Sequence, residues 1–225
     1  MTRALIVSGH LVDMPGRRPP RFPQSLAGRV AAEMDAVFGE WGIGPGTTVV
    51  CGGARGADLI GAELALRRGA RVVVCLALPV EDFVRESVDM PGPAGAEWRD
   101  RFAAVTARAE VLPPPATRPG EAEADVEVNT VSATQAGTAP DAAAGTATPD
   151  AAVGAAPGAE VDARVFARAN ARMVETARAL DPGLRAVVVW DGRAGDGPGG
   201  TGDLVARLGY APADPRLRVI DPTGL

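Results

Sequence analysis

Short runs of β-branched and other apolar residues recur along the chain, each followed by a Gly- or Pro-rich turn. Most of these turns lead into a segment whose apolar residues recur at helical spacing. The runs are almost continuously apolar, as expected for parallel strands that are covered on both faces. We therefore predict strands at residues 4–7, 47–51, 71–78, 186–190 and 217–220.

Several segments between the runs carry their apolar side chains on one helical stripe. Gly42 and Pro182 end two of them, as expected for residues that stop a helix. The stripes consist of Leu26, Val30, Met34, Val37, Phe38 and Trp41; Leu59, Ala62 and Leu66; Phe166, Met173, Ala177 and Leu180; and Leu204 and Leu208, with Trp98 and Phe102 marking a further helix. The alternation predicts an α/β fold, a doubly wound (Rossmann-like) parallel sheet of five to six strands with helices on both faces.

Residues 113–159 interrupt this pattern. They contain no aromatic residue, Leu, Ile or Met, and they hold one Arg against six carboxylates. Such a segment cannot offset roughly 1–2 kcal/mol of backbone ordering entropy per residue. We predict a disordered, acidic insertion in one domain formed by residues 1–112 and 160–225; a partner-binding tail is the alternative.

The composition excludes several kinds of chemistry. All 23 basic residues are Arg, so mechanisms that need a Lys amine, such as a Walker-type phosphate loop or a Schiff base, are excluded. One His and two Cys cannot complete an all-Cys/His zinc site or a disulfide framework. No apolar stretch approaches the roughly 20 residues of a membrane span. We predict a cytoplasmic protein with no metal, no cofactor and no membrane partner.

Ligands of doubly wound sheets bind beyond the carboxyl ends of the strands, so the residues there are the candidate site. Glycines between a strand and a helix let backbone amides approach an anion, which the helix N-terminus also favours. The second predicted strand is followed by such a group, whose members are Gly52, Gly53, Arg55, Gly56 and Asp58. They predict contact with a phosphate or nucleotide; the alternative is a tight turn in which Asp58 is an early-helix acid.

A second glycine-rich loop follows the strand predicted at 186–190. Two such loops at one sheet edge can hold two parts of one ligand, such as a phosphate and a ribose, although a flexible surface loop is the alternative. The further predicted contacts are Gly199, Gly200, Thr201 and Gly202 from this loop, Asp191 before it, and Gly9 and His10 after the first strand. His10, the only imidazole, is predicted to contact the ligand or accept a structural hydrogen bond. Phe83 is predicted either to stack on a base or to cover the core.

Three of these segments resemble motifs of the SLOG superfamily, which joins the Smf/DprA DNA-processing proteins to the Lonely Guy (LOG) proteins. Residues 51–66, CGGARGADLIGAELAL, resemble the first glycine motif, and residues 197–205, GPGGTGDLV, resemble the second. Residues 8–10, SGH, are similar to the end of the first strand in smaller members. The resemblance implies a Rossmann-like domain that binds a nucleotide, and in the LOG branch one that cleaves nucleoside monophosphates into base and ribose 5-phosphate.

The second motif departs from the LOG pattern P-G-G-x-G-T-x-x-E, because Ala206 stands where that pattern has its glutamate. The missing carboxylate favours a binding protein, such as a sensor, over a hydrolase. In the alternative, a LOG-like phosphoribohydrolase, the candidate catalytic residues are Asp203, Arg172 and Glu86. A second alternative is a DprA-like module for single-stranded DNA, but the balanced charge outside the insertion makes nucleic acid an unfavoured partner. A homodimer is left open.

Overall fold

The strands form one parallel sheet in a computed structural model that describes residues 3–115, 163–193, 199–211 and 213–225. Within these ranges the sheet has six strands in the order β4-β3-β2-β1-β5-β6. The strands are β1 (Ala4–Gly9), β2 (Thr48–Cys51), β3 (Arg71–Cys75), β4 (Glu110–Leu112), β5 (Arg185–Val189) and β6 (Leu217–Ile220). The predicted α/β fold with a Rossmann-like parallel sheet is confirmed.

The helices lie where the apolar side chains predicted them, except for one short helix after β3 that no stripe specified. They are α1 (Ala27–Glu40), α2 (Ala57–Arg67), the short α3 (Val80–Phe83), α4 (Pro93–Thr106), α5 (Ala163–Leu180) and α6 (Thr201–Leu208). One turn of π-helix, Val84–Val88, continues directly from α3. Of the helices in the described ranges, none has both the length and the apolar character that crossing a membrane requires.

Alternate residues of the strands face two separate hydrophobic cores. Leu5 and Val7 of β1 point into a core that also contains buried residues of α1, α2 and α4. Ala4 and Ile6 of the same strand point into a second core with residues of α5 and α6. This two-residue period is that of a strand covered on both faces, and it explains why the runs read as continuously apolar.

The strand order reverses its direction once, between β1 and β5. From β1 the chain builds outward through β2 and β3 to β4, and it then returns through α5 to add β5 on the other side of β1. The carboxyl edge at such a reversal is where the helices on opposite faces leave a crevice. The topology therefore favours a ligand site at the ends of β1 and β5.

The predicted insertion at 113–159 lies, apart from residues 113–115, outside the described residues, and its disorder stays a prediction. The strands on its two sides belong to one sheet, since β4 precedes it and β5 and β6 follow it. The short strand β4 was the one not specified by the sequence pattern, because only Val111 and Leu112 of its three residues are apolar.

Candidate ligand-binding cleft

A cleft of about 340 Å³ opens at the carboxyl ends of β1, β2 and β3, beside the point where the strand order reverses. Its volume falls within the range of small-molecule sites. Both glycine-rich loops border it. The predicted site residues that line it are Gly9, His10, Gly52, Arg55, Asp58, Gly199, Gly200 and Thr201. The structure thus brings eight of the predicted ligand contacts to one space.

Two glycines of the first motif serve the packing of the protein itself. Gly53 has a φ of 86°, and a Cβ there would lie 2.8 Å from Val74 Cγ1 in the core. Gly56 has a φ of 103°, and a Cβ there would lie 2.7 Å from the carbonyl oxygen of His10. Neither residue lines the cleft. Backbone conformation and close packing therefore explain these two glycines without a ligand.

Asp58 occupies the amide-rich turn that the sequence predicted as a phosphate site. Its Oδ2 accepts a hydrogen bond from the backbone amide of Gly52 at 2.9 Å, and the amides of Ala54 and Gly53 and the side chain of Ser8 also favour its charged form. Burial has the larger effect and raises the pKa of Asp58 to about 7. A carboxyl of the protein thus takes the place in this turn that an anionic ligand was predicted to fill.

Asp191 was predicted as a ligand contact but does not line the cleft. It positions Arg21 and His10, which do line it. Its carboxylate accepts two hydrogen bonds from Arg21, with Nε at 3.0 Å from Oδ2 and Nη2 at 3.2 Å from Oδ1. Burial alone would raise its pKa, but the hydrogen bonds from Arg21, the amide of Arg193 and His10 hold the pKa of Asp191 well below its usual range. Its side chain is only 1% exposed, so it acts on the cleft through its partners.

His10 contacts Asp191 through Nε2, which lies 3.0 Å from Oδ1 and 3.2 Å from the Asp191 backbone nitrogen. The Nε2–H tautomer donates to the carboxylate, whereas the Nδ1–H tautomer accepts from the amide. Burial is the main reason that the pKa of His10 is lowered, with the charge of Arg21 acting in the same direction and Asp191 opposing it. The imidazole is therefore predominantly neutral at pH 7.

The segment between β1 and α1 forms one wall of the cleft. The carboxylate of Asp13 fixes it by accepting the amides of Arg21 and Phe22 at 2.8 and 2.9 Å, and the Phe22 ring is fully buried. Between these anchors, Arg17 reaches the cleft and pairs loosely with Asp13 at 3.6 Å. The segment thus brings two guanidinium groups, those of Arg17 and Arg21, to the cleft.

Arg55 is a buried cation with no carboxylate at salt-bridge distance among the described residues. Its Nε donates to the carbonyl of Val12 and its Nη1 to the carbonyl of Asp89, both at 3.1 Å. The residue is 5% exposed, and burial lowers its pKa. Since a guanidinium stays protonated in proteins, the cleft contains a positive charge that these contacts solvate but do not neutralise.

The second loop is described from Gly199 onward; residues 194–198 lie outside the described residues. Asn170 of α5 fixes this loop, because its Nδ2 lies 3.0 Å from the Gly199 carbonyl, 3.3 Å from the Gly200 carbonyl and 2.8 Å from Asp203 Oδ2. Thr201 is the first residue of α6, after Gly200 as the N-cap. Gly202 is not among the residues that line the cleft.

Sequence reasoning missed Asn170, although a signal was present. It falls four residues after Phe166 and three before Met173, so a buried amide interrupts an otherwise apolar helical stripe. Phe83 also lines the cleft, but it is 2% exposed and packs against Phe102 with ring centroids 5.9 Å apart. Of its two predicted roles, this packing favours covering the core.

The three candidate catalytic side chains do not line the cleft as the described residues define it. Arg172 contacts the carbonyl of Pro113 on the surface. Glu86 pairs with Arg85 at 3.3 Å, and Asp203 is held by Asn170 and Arg207. These contacts within the protein hold all three side chains, and a catalytic role for them stays a prediction.

Comparison with known proteins gives no relative from which a function could be transferred: no protein-family model matches the chain, and no curated protein matches it.

Proposed function

We propose that the cleft binds a nucleotide or a nucleotide-derived small molecule and that the protein acts as a ligand-binding protein, such as a sensor. The observation that carries the proposal is Arg55, a buried guanidinium without a carboxylate partner among the described residues, in a cleft bordered by both glycine-rich loops. A phosphate is the group that best matches a buried guanidinium, because it offers charge and several acceptor oxygens.

The proposed phosphate position is beside the guanidinium groups, including that of Arg55 in the first glycine turn, and not at the amide of Gly52. The Gly52 amide donates to Asp58, so a phosphate there would compete with a carboxyl of the protein. Arg55 lines the cleft without a salt-bridge partner among the described residues and favours an anion beside it. Arg17 and Arg21 line the cleft too, each next to a carboxylate, that of Asp13 or Asp191. This position differs from the one that the glycine motif suggested, because side chains rather than loop amides supply the charge.

Other residues that line the cleft are suited to a base or another flat apolar group. Phe166 and Met173 of α5 and Ala77 after β3 line it with carbon and sulfur atoms. Small-molecule sites commonly combine an apolar wall with a few polar groups that fix orientation. A molecule with a phosphate at one end and a base at the other matches both the arginines and these apolar residues.

Binding of nucleoside 5′-monophosphates, measured by isothermal titration calorimetry with AMP, GMP, CMP and UMP, tests the proposal. Adenosine is the matched ligand without phosphate, and we expect it to bind at least tenfold more weakly than AMP. Arg17→Ala is expected to weaken AMP binding about three- to tenfold, as for loss of a charge-assisted contact. Arg18→Ala removes a neighbouring charge that does not line the cleft and should leave affinity unchanged. Absence of binding for all four nucleotides would refute the proposal.

A second candidate is an N-glycosidic hydrolase, and the observation that favours it is Asp58. Asp58 is among the residues that line the cleft. Its pKa of about 7 is suited to donating a proton to a leaving group near neutral pH. Incubation with each nucleoside monophosphate, followed by chromatography for free base, separates the candidates. Base release that is lost in Asp58→Asn would establish the hydrolase; no release with retained binding supports the binding protein.

A further inference from the structure

The amide of Asn170 can face the second loop in one orientation only. Its three neighbours there, the carbonyls of Gly199 and Gly200 and the carboxylate of Asp203, are all acceptors. An amide oxygen turned toward them would be repelled by each, so the nitrogen must lie on this side. The position of Oδ1 is thereby fixed as well.

No described donor lies within hydrogen-bond distance of Asn170 Oδ1, although the residue is only 7% exposed. Among the described side chains, every fully buried nitrogen or oxygen has a hydrogen-bond partner. Oδ1 is therefore not fully buried, and the open space that Asn170 lines is the cleft. It is a preoriented acceptor whose partner must come from whatever fills that space.

The chemistry of this acceptor selects the part of a ligand that it can contact. Oδ1 carries no proton, so it repels a phosphate and attracts a neutral donor. The carboxylate of Asp203, which accepts from Nδ2 of the same amide, adds to this preference. The guanidinium groups that suit an anion come instead from the wall formed by the segment between β1 and α1 and from Arg55. A ligand that matches both the guanidinium groups and Asn170 Oδ1 has its negative charge near the arginines and a hydroxyl or amine near α5.

We infer that Asn170 determines specificity in the cleft: its Oδ1 accepts a hydrogen bond from a neutral donor of the bound nucleotide, either a ribose hydroxyl or an exocyclic amine of the base. The inference rests on the proposed function and assigns to Asn170 the discrimination between ligands. Through Nδ2 the same side chain holds the second loop, so loop position and ligand recognition depend on one amide.

The experiment compares three probes by calorimetry on the wild type: AMP, 2′,3′-dideoxy-AMP and purine riboside 5′-monophosphate. The dideoxy probe lacks the ribose hydroxyls, and the purine probe lacks the exocyclic amine. We expect one of the two to bind about three- to tenfold more weakly than AMP, the effect of one neutral hydrogen bond. Equal affinity for all three probes overturns the inference without any variant.

Asn170→Ala, with Asn170→Ser as a second variant if the first does not fold, is expected to lose the discrimination between AMP and the weaker probe. Asp203→Ala removes one of the acceptors that hold Nδ2 and is expected to weaken AMP and the analogue alike while keeping their ratio. If Asn170 only positioned the loop, the Asn170 variants would, like Asp203→Ala, bind AMP and the weaker probe less tightly but keep the ratio of their affinities. Retained discrimination in a folded Asn170 variant overturns the inference, whereas failure of the wild type to bind AMP, GMP, CMP or UMP removes the proposed function itself.

Discussion

The carboxylate of Asp58 lies 2.9 Å from the amide nitrogen of Gly52, across the turn that joins β2 to α2. Glycine-rich turns before a helix ordinarily offer their amides to an external anion. Here a side chain six positions along the same chain accepts at least one of these donors. The turn is therefore complete without ligand, and the charge of its acceptor depends on pH.

The stability of the Asp58→Asn variant relative to the wild type should depend on pH. The pKa of Asp58 is about 7 in the folded protein, whereas the ordinary value for an aspartate is 3.8. The folded protein therefore holds this proton more tightly, and the wild type loses stability as pH rises from about 4 to about 7. Asn does not ionise, so the free energy of unfolding of the variant should rise relative to that of the wild type, by at most roughly 4 kcal/mol, over that range. Urea unfolding at several pH values measures this difference.

The control is Asp214→Asn, for which the expected change of stability with pH, relative to the wild type, has the opposite sign. Hydrogen bonds from Arg216 lower the pKa of Asp214 to about 2. Asp214 therefore stabilises the fold above about pH 4, and this contribution is lost as pH falls toward 2. A pH-independent difference between Asp58→Asn and the wild type from pH 4 to 8 would show that Asp58 is an ordinary ionised carboxylate.

Gly53→Ala should destabilise the protein by about 2–3 kcal/mol in urea unfolding, because it adds a methyl group at positive φ against Val74. The sequence predicted Gly53 as a ligand contact, and the two roles give different results. Gly28→Ala in α1 is a matched control, since a Cβ there meets nothing within 4 Å. Unchanged stability of Gly53→Ala together with lost AMP binding would restore the predicted contact.

Gly202→Ala should stabilise the protein by up to about 1 kcal/mol, since alanine is the better helix former. A Cβ at this position comes no closer than 3.8 Å to Trp190, and Gly202 lies in the first turn of α6. We expect thermal unfolding to show the gain and calorimetry to show AMP affinity equal to that of the wild type. Weaker AMP binding would place Gly202 at the ligand, as the second glycine motif predicted.

Replacement of Asp191 by Asn should lower the pKa of His10 further below 6.5, because Asp191 favours the charged imidazole and Arg21 opposes it. His10 is the only histidine in the chain, so a pH titration followed by NMR reports it without assignment of other imidazoles. The variant should also lose about 1–3 kcal/mol of stability at pH 7 through the weakened contact with Arg21. A rise of the His10 pKa in Asp191→Asn would contradict the proposed electrostatics.

The periodic features were predictable from the sequence, and the side-chain partnerships were not. Continuous apolar runs fixed the position of β1 because both faces of the sheet are covered, and the stripe from Val30 to Phe38 fixed α1. The edge strand β4 was not specified because only two of its three residues are apolar. At the site, a Gly-Gly pair looks the same whether its amides meet a phosphate or Asp58. Only the fold shows which acceptor is close.

The Arg21–Asp191 contact joins positions 170 residues apart in the sequence. Arg21 lies in the segment between β1 and α1, and Asp191 follows β5. An emerging polypeptide can pair β1 to β4 without completing the arginine-lined wall. The proposed pocket is therefore complete only when β5 has taken its place beside β1.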